Sequence, residues 1–267
     1  MACLKGVNAV MLDISGVLKD TADGADVAIP GSVNAVNRLK EAGIPIRFCT
    51  NETTTTRKNL VDRLQKLGFS IKEEEVFSPA PAVCQVLRQR GLRPHLLVHP
   101  ASEADFDAVD KNKPNCVVIG DAAENFSYEN MNKAFQTLIA MDNPVLISMG
   151  KGKYYKDSNS LILDVGAYMK ALEYACDIEA DVVGKPSASF FLAVLQDMER
   201  VPEETLMVGD DIESDVGGAQ RCGIRAALVR TGKYRSSDEN HPKVKPDIIV
   251  NDLSQLVDEL LAAGGKL

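Results

Sequence analysis

Residues 7–17 have the sequence Val-Asn-Ala-Val-Met-Leu-Asp-Ile-Ser-Gly-Val, an apolar run that ends in a carboxylate and a glycine. Such a short apolar run is typical of a strand that is buried on both faces of a parallel sheet. Ligand sites of open α/β sheets lie beyond the carboxyl ends of their strands. The stretch therefore predicts chemistry at Asp13, where Gly16 lets the backbone curl around a ligand.

The residues that follow alternate between helical and strand patterns. Helical spacing marks residues 31–42 and the segment that stops at Gly68, and an apolar strand over 44–49 separates them. Further strands are predicted at 205–208, 226–229 and 247–250. The alternation predicts an α/β fold with a Rossmann-like, doubly wound parallel-sheet core.

The middle of the chain reads as a separate unit. We predict an inserted α/β cap domain over 80–181, and a catalytic core domain made of 1–79 and 182–267. The cap is expected to contain strands at 95–98, 116–119 and 145–148 and a helix at 128–141. Residues 233–246, which are rich in charge and contain two prolines, are predicted to form a surface loop.

Composition and charge exclude several classes of protein. Apolar runs are too short for a membrane span, and the start of the chain lacks the pattern of a secretory signal. Six cysteines without a C-x-x-C pair argue against zinc or a disulfide framework. A net charge of -8 argues against nucleic-acid and membrane partners. These features predict a cytoplasmic location, with the nucleus as a second one.

Polar residues follow the first two predicted strands. The Asp13 carboxylate could attack or bind a ligand, or form an Asx-turn with its own backbone. Thr50 and Asn51 could hold phosphate oxygens, or serve as a helix N-cap or turn.

Two more segments, nearer the far end, carry charge. Lys185, between a glycine and a proline, could be a point charge against a phosphoryl group or a solvated surface lysine. Asp210 and Asp211 lie at another strand end, and Asp215 could act there or as a helix N-cap.

The combination of these residues is more informative than any one of them. Strands of a parallel sheet end on one edge, so Asp13, Thr50, Lys185 and Asp210 are predicted to converge. A carboxylate pair, a hydroxyl and an ammonium suit phosphoryl transfer. Hard oxygen ligands favour Mg²⁺, which Asp13 and Asp210 could hold.

The four segments, in order, resemble the four motifs of haloacid dehalogenase-like hydrolases of the type with a large cap between the second and third motifs. The resemblance implies that Asp13, Ser15 and Lys185 are the catalytic residues, with Asp13 as the nucleophile. It implies a homodimer joined through the caps. The implied site comprises Mg²⁺ ligands (Asp13, the Ser15 carbonyl, Asp210), substrate-binding residues (Asp13, Ile14, Ser15, Thr50, Asn51, Lys185) and residues that orient metal-bound water (Asp211, Asp215).

One position departs from the family pattern. Most phosphatases of this class have a second Asp two residues after the nucleophile, which protonates the leaving group, but this chain has Ser15. A hydroxyl cannot replace that acid near neutral pH. We therefore expect hydrolysis of P–N bonds (phospholysine, phosphohistidine, imidodiphosphate) and of pyrophosphate in preference to alkyl phosphates. The expected partner is a phosphorylated small molecule or a protein that carries phosphohistidine or phospholysine.

Two other functions remain open. The chain could be a small-metabolite phosphomonoesterase with the same fold, or a non-catalytic phosphate-binding scaffold. The basic, aromatic stretch at 151–156 could attract an anionic substrate or be a solvated loop, and we favour the loop. The three histidines lack the spacing of metal ligands.

Overall fold

The computed structural model describes residues 2–22, 24–157 and 160–264. Six parallel strands form its main sheet, in which the strand that ends at Asp13 lies between strands from the two ends of the chain. The order across the sheet is β14 (Ile248–Val250), β13 (Arg225–Val229), β12 (Thr205–Gly209), β1 (Ala9–Asp13), β4 (Ile46–Cys49) and β5 (Val76–Phe77).

Both faces of this sheet are covered, because the side chains of β1 alternate between two apolar layers. Val10 and Leu12 pack into one layer, whereas Ala9 and Met11 pack into the other. The first layer contains α1 (Ser32–Glu41), α2 (Arg57–Lys66) and α8 (Leu253–Ala262). The second contains α6 (Ala188–Met198) and a π-helical turn (Ile212–Gly217) that continues as α7 (Gly218–Gln220).

A second parallel sheet forms the cap, in the order β11 (Asp181–Val182), β8 (Leu146–Ser148), β7 (Cys116–Ile119) and β6 (Pro94–Leu97). Helix α3 (Pro79–Arg90) packs on one face of it, and α4 (Tyr128–Ile139) and α5 (Val165–Cys176) pack on the other. The predicted fold class is confirmed. The domain limits stay a prediction, and the limit between 181 and 182 falls inside β11.

Two antiparallel hairpins escaped prediction: β2 (Lys19–Ala22) with β3 (Ala25–Ala28), and β9 (Tyr154–Asp157) with β10 (Ser160–Leu163). The first strand of each hairpin, β2 or β9, lacks the alternation of apolar and polar residues that marks a half-buried strand. Our preference for a solvated loop over 151–156 was wrong, because the chain is a paired strand from Tyr154 onward.

Short 3-10 turns complete the described secondary structure, at Ala2–Leu4, Glu73–Glu75, Pro100–Phe106, Ala123–Asn125, Pro202–Glu204 and Ser236–Asn240. Within the described ranges, no helix has both the length and the apolar character needed to cross a membrane.

Candidate active site

Three buried carboxylates meet at the carboxyl edge of the main sheet. Asp13 is the last residue of β1, Asp210 directly follows β12, and Asp215 lies in the π-helical turn behind it. Each residue offers a carboxylate oxygen, and these oxygens lie within 4.8 Å of one another. Negative charges this close in a buried site are stable only with a cation nearby or with a proton on one of the carboxyl groups.

Lys185 supplies one such charge. Its Nζ lies 2.7 Å from Asp13 Oδ1 and 2.7 Å from Asp215 Oδ1, and the residue is only 3% exposed. Burial acts to lower the pKa of Lys185, but the two carboxylates outweigh burial and raise it. The side chain is therefore a fixed ammonium, and the alternative of a solvated surface lysine was wrong.

Asn51 holds the backbone that presents this lysine. Its Oδ1 accepts a hydrogen bond from the Lys185 N–H (2.9 Å), and its Nδ2 donates to the Lys185 carbonyl (2.7 Å). The side-chain amide is thus committed to positioning Lys185. Neither Asn51 nor Thr50 is a helix N-cap, because Thr56 caps α2, so that part of the alternative was wrong. The turn is present, because Thr50 Oγ1 accepts the Glu52 N–H (2.9 Å). Thr50 is 2% exposed and lines the same cavity as Asp13.

Backbone encloses Asp210 on two sides. A Cβ atom added to Gly16 or to Gly232 would lie 2.1 or 2.0 Å from Asp210 Oδ2, so only glycine fits at either position. The same Oδ2 accepts the Lys233 N–H (2.8 Å), whereas Oδ1 is buried with no hydrogen-bond partner among the described residues. Burial, reinforced by Asp13 and Asp215 despite the nearby Lys233, raises the pKa of Asp210 well above its ordinary value.

The two acids that follow have different environments. Asp211 caps the π-helical turn by accepting the Glu213 and Ser214 N–H groups, so the alternative that Asp215 is the N-cap was wrong. Burial raises the pKa of Asp211, but the Lys233 ammonium outweighs it and lowers this pKa to about 2. Burial and the charge of Asp13 raise the pKa of Asp215 to about 7.

Lys233 is a site residue that sequence reasoning missed. Its Nζ lies 2.9 Å from Asp211 Oδ2, and its residue lines the cavity, although it begins the segment predicted to be a surface loop. The side chain is only 20% exposed, so the first residue of the predicted surface loop lies in the site and not in solvent. The sequence does offer one indication, because Lys233 follows Gly232 shortly after the carboxyl end of β13, where residues of the site are expected.

These groups line a cavity of about 320 Å³ between the main sheet and the cap. Ser15 is exposed at the cavity, directly beyond the nucleophile candidate. The cap contributes Asp121, Gly152, Tyr155 and Asp164 to the lining. The site thus combines the ammonium groups of Lys185 and Lys233 with a cluster of carboxylates suited to a hard divalent cation.

Family models described as Haloacid dehalogenase-like hydrolase and HAD-hydrolase-like match residues 10–122 and 182–256, which include Asp13, Lys185 and Asp210. A phospholysine phosphohistidine inorganic pyrophosphate phosphatase from Xenopus laevis is 60% identical over 98% of this chain and 97% of its own length. This chain belongs to the haloacid dehalogenase-like hydrolases. The predicted resemblance is confirmed.

Another haloacid dehalogenase-like relative is more distant. Haloacid dehalogenase-like hydrolase domain-containing protein 2 from Bos taurus is 41% identical over 98% of this chain and 98% of its own length. Among solved structures, 4-nitrophenylphosphatase from Thermotoga maritima superposes with a TM-score of 0.84 at 24% identity, covering 96% of this chain and 98% of that one. At this identity the structural match establishes the fold alone.

Proposed function

We propose that this chain is a Mg²⁺-dependent phosphatase that forms an aspartyl phosphate on Asp13 and hydrolyses P–N bonds and inorganic pyrophosphate. The observation that carries the proposal is the contact of the Lys185 ammonium with Asp13, inside a cavity that also contains the carboxylate cluster. Relatives about 60% identical over nearly the whole chain are named for phospholysine, phosphohistidine and pyrophosphate.

The contacts of Asp13 suggest which oxygen attacks. Its Oδ1 accepts hydrogen bonds from Lys185 Nζ (2.7 Å) and from the Ile14 N–H (2.8 Å). Oδ2 accepts none from the residues described, and we assign it as the nucleophile. It forms a bond to phosphorus while the bond to the leaving group breaks, and water then hydrolyses the aspartyl phosphate. Lys185 and Thr50 would hold the phosphoryl oxygens, with the Ile14 and Ser15 backbone beside them.

The residues present fit a magnesium ion. Asp210 Oδ1 is buried and unpartnered, and three carboxylate oxygens lie within 4.8 Å of one another. Asp13, the Ser15 carbonyl and Asp210 would hold the ion, and Asp211 and Asp215 would orient its water. Bound there, Mg²⁺ would offset the negative charge of the phosphoryl oxygens.

Magnesium is expected to stabilise the folded protein independently of turnover. A ligand that binds only the native state at about 100 times its Kd adds about 2.7 kcal/mol, so Tm should rise by several degrees. Asp210→Asn should abolish the rise, whereas Asp62→Asn on the exposed face of α2 should keep it. Thermal unfolding with Mg²⁺ or EDTA measures this, and an undiminished rise in Asp210→Asn would contradict the ligand assignment.

Ser15 supports the choice of substrates. General acid catalysis contributes about 10²–10⁴-fold, and Ser15 cannot supply it. A protonated P–N nitrogen and the phosphate of pyrophosphate need little help in leaving, whereas an alkoxide needs much. The substrate is thus a phosphorylated small molecule or a protein that carries phosphohistidine or phospholysine. The homodimer and the cytoplasmic and nuclear locations stay predictions.

Ser15→Asp tests the proposal directly. Wild type should show a higher kcat/KM for phosphohistidine and pyrophosphate than for an alkyl phosphate. The variant should raise kcat/KM for the alkyl phosphate by about 10-fold or more, because it restores a proton donor. Ser15→Asn, of similar size but without a titratable proton, is the control. A wild-type preference for the alkyl phosphate would overturn the assigned substrate class.

A further inference from the structure

Three carboxylates line the cavity without a basic partner. They are Glu52 in the loop after β4, Asp121 after β7, and Asp164 at the N-cap of α5. Burial, followed by the charges of Asp164 and Glu52, raises the pKa of Asp121 to about 6. Burial also raises the pKa of Asp164, against the effect of Lys233 and with a small contribution from Glu52. All three acids line the same cavity, so their negative charges act together there.

The cations of the cavity are already paired elsewhere. Lys185 contacts Asp13 and Asp215, and Lys233 contacts Asp211. Lys19 and Arg63 share Asp26, with ion-pair distances of 2.8 and 2.6 Å. Among the described residues, no lysine or arginine forms an ion pair with Glu52, Asp121 or Asp164. This part of the cavity wall therefore carries negative charge that no ion pair neutralises, although Lys233 acts to lower the pKa of Asp164 and His99 acts to lower that of Asp121.

Asp121 is the least exposed of these three acids, and one of its carboxylate oxygens accepts no hydrogen bond from the described residues. It is 8% exposed, and its Oδ1 accepts the Ala123 N–H (3.0 Å). Its Oδ2 accepts no hydrogen bond from any part of the chain that the structure describes, and the residue lines the cavity. This oxygen is accessible from the cavity and can accept a hydrogen bond from a substrate bound there.

A hydrogen bond fixes Asp121 relative to the core. Its N–H donates to Thr53 Oγ1 (2.9 Å), and Thr53 is 4% exposed in the loop that also contains Thr50. The cap carboxylate is thereby tied to the segment that follows β4, beside the residues that face the phosphoryl group. The wall is thus part of the same site and not a separate one.

We propose that Asp121, with Glu52 and Asp164 beside it, selects substrates whose leaving group carries a positive charge and N–H donors, as phospholysine and phosphohistidine do. The inference rests on the proposed function. In the step concerned, Asp13 forms a bond to phosphorus and the P–N bond breaks. The bonding electron pair goes to the departing nitrogen, and the leaving group departs neutral because its proton is already present. In phospholysine that proton is on the departing nitrogen, and in phosphohistidine it is on the other ring nitrogen, so Asp121 accepts a hydrogen bond and transfers no proton.

Asp121→Asn separates charge from structure, because the amide oxygen still accepts the Ala123 N–H. We expect kcat/KM for phospholysine and phosphohistidine to fall by about 10-fold or more, the size of a lost hydrogen bond to a charged group. Values for pyrophosphate and 4-nitrophenyl phosphate, whose leaving groups are anions, should stay level or rise. The quantity to compare is the ratio of kcat/KM for the two P–N substrates to kcat/KM for the two substrates with anionic leaving groups. Asp164→Asn, which preserves the N-cap, should lower this ratio as Asp121→Asn does. The exposed Asp142→Asn is the control for net charge.

The outcomes distinguish the two proposals. An unchanged ratio in Asp121→Asn and Asp164→Asn, in a wild type that cleaves all four substrates, overturns the inference and leaves the proposed function standing. A wild type that cleaves no P–N bond overturns the proposed function and the inference with it. Tm of each variant is measured alongside, and a uniform loss on all substrates counts as a structural effect and against selection.

Discussion

Asp13→Asn is expected to lower kcat for phosphate release by about 10⁴-fold or more, because the amide removes the attacking carboxylate. Asn keeps the size of the side chain and can still accept the Ile14 N–H, so the fold should survive. Single-turnover release of phosphate from pyrophosphate measures the effect. Asp62→Asn, on the exposed face of α2, is the matched control and should retain wild-type turnover.

The same variant should not lose stability. Asp13 is one of three carboxylates whose oxygens lie within 4.8 Å of one another, and its charge raises the pKa of both Asp210 and Asp215. Neutralising it removes repulsion but also weakens the pair with Lys185, so Tm should change little. Retained turnover in a folded Asp13→Asn protein would rule out Asp13 as the nucleophile.

Lys185→Met is expected to lower both activity and stability. The ammonium lies 2.7 Å from each of two buried carboxylates, and removing one member of a buried ion pair costs about 3–5 kcal/mol. Turnover should fall by about 10³-fold, because the phosphoryl group loses a fixed positive charge. Urea unfolding and kcat measurements at saturating Mg²⁺ give the two values.

Two further variants separate charge from packing at Lys185. Lys72→Met, at a side chain that is 74% exposed, should change neither quantity measurably. Adding Asp215→Asn to Lys185→Met should recover part of the lost stability, because one uncompensated carboxylate disappears, but it should not recover activity. If Lys185→Met unfolds at the wild-type urea concentration, the ion pairs do not stabilise the fold as described.

Much of the site follows from one feature of parallel sheets. The runs before Asp13, Thr50 and Asp210 are buried apolar strands, and neighbouring strands β12, β1 and β4 bring their carboxyl ends together. Periodicity and strand ends are visible in a sequence, so these positions could be predicted. The same rule was applied to Lys185, but its strand β11 lies in the cap sheet and not beside β1. Lys185 does reach Asp13, so its predicted position is right although the reason for it is different.

Other parts of the site depend on loops that no periodicity describes. Lys233 approaches Asp211 because the chain after β13 turns back at Gly232, and its sequence reads as a solvated charged segment. Asn51 faces the Lys185 peptide because two segments far apart in sequence dock side by side. Asp121 reaches the cavity through contact between the cap and the Thr53 loop. Such contacts arise from tertiary packing, which local sequence patterns do not encode.

The glycines beside Asp210 have a thermodynamic consequence. Main-chain atoms cannot swing aside as a side chain can, so Gly16 and Gly232 restrict the rotamers available to that carboxylate. The side chain of Asp210 therefore loses its conformational entropy when the chain folds, and little more is lost when a ligand binds. Its free oxygen is already oriented before a cation binds, so less of the interaction energy is spent on ordering the side chain and more contributes to affinity.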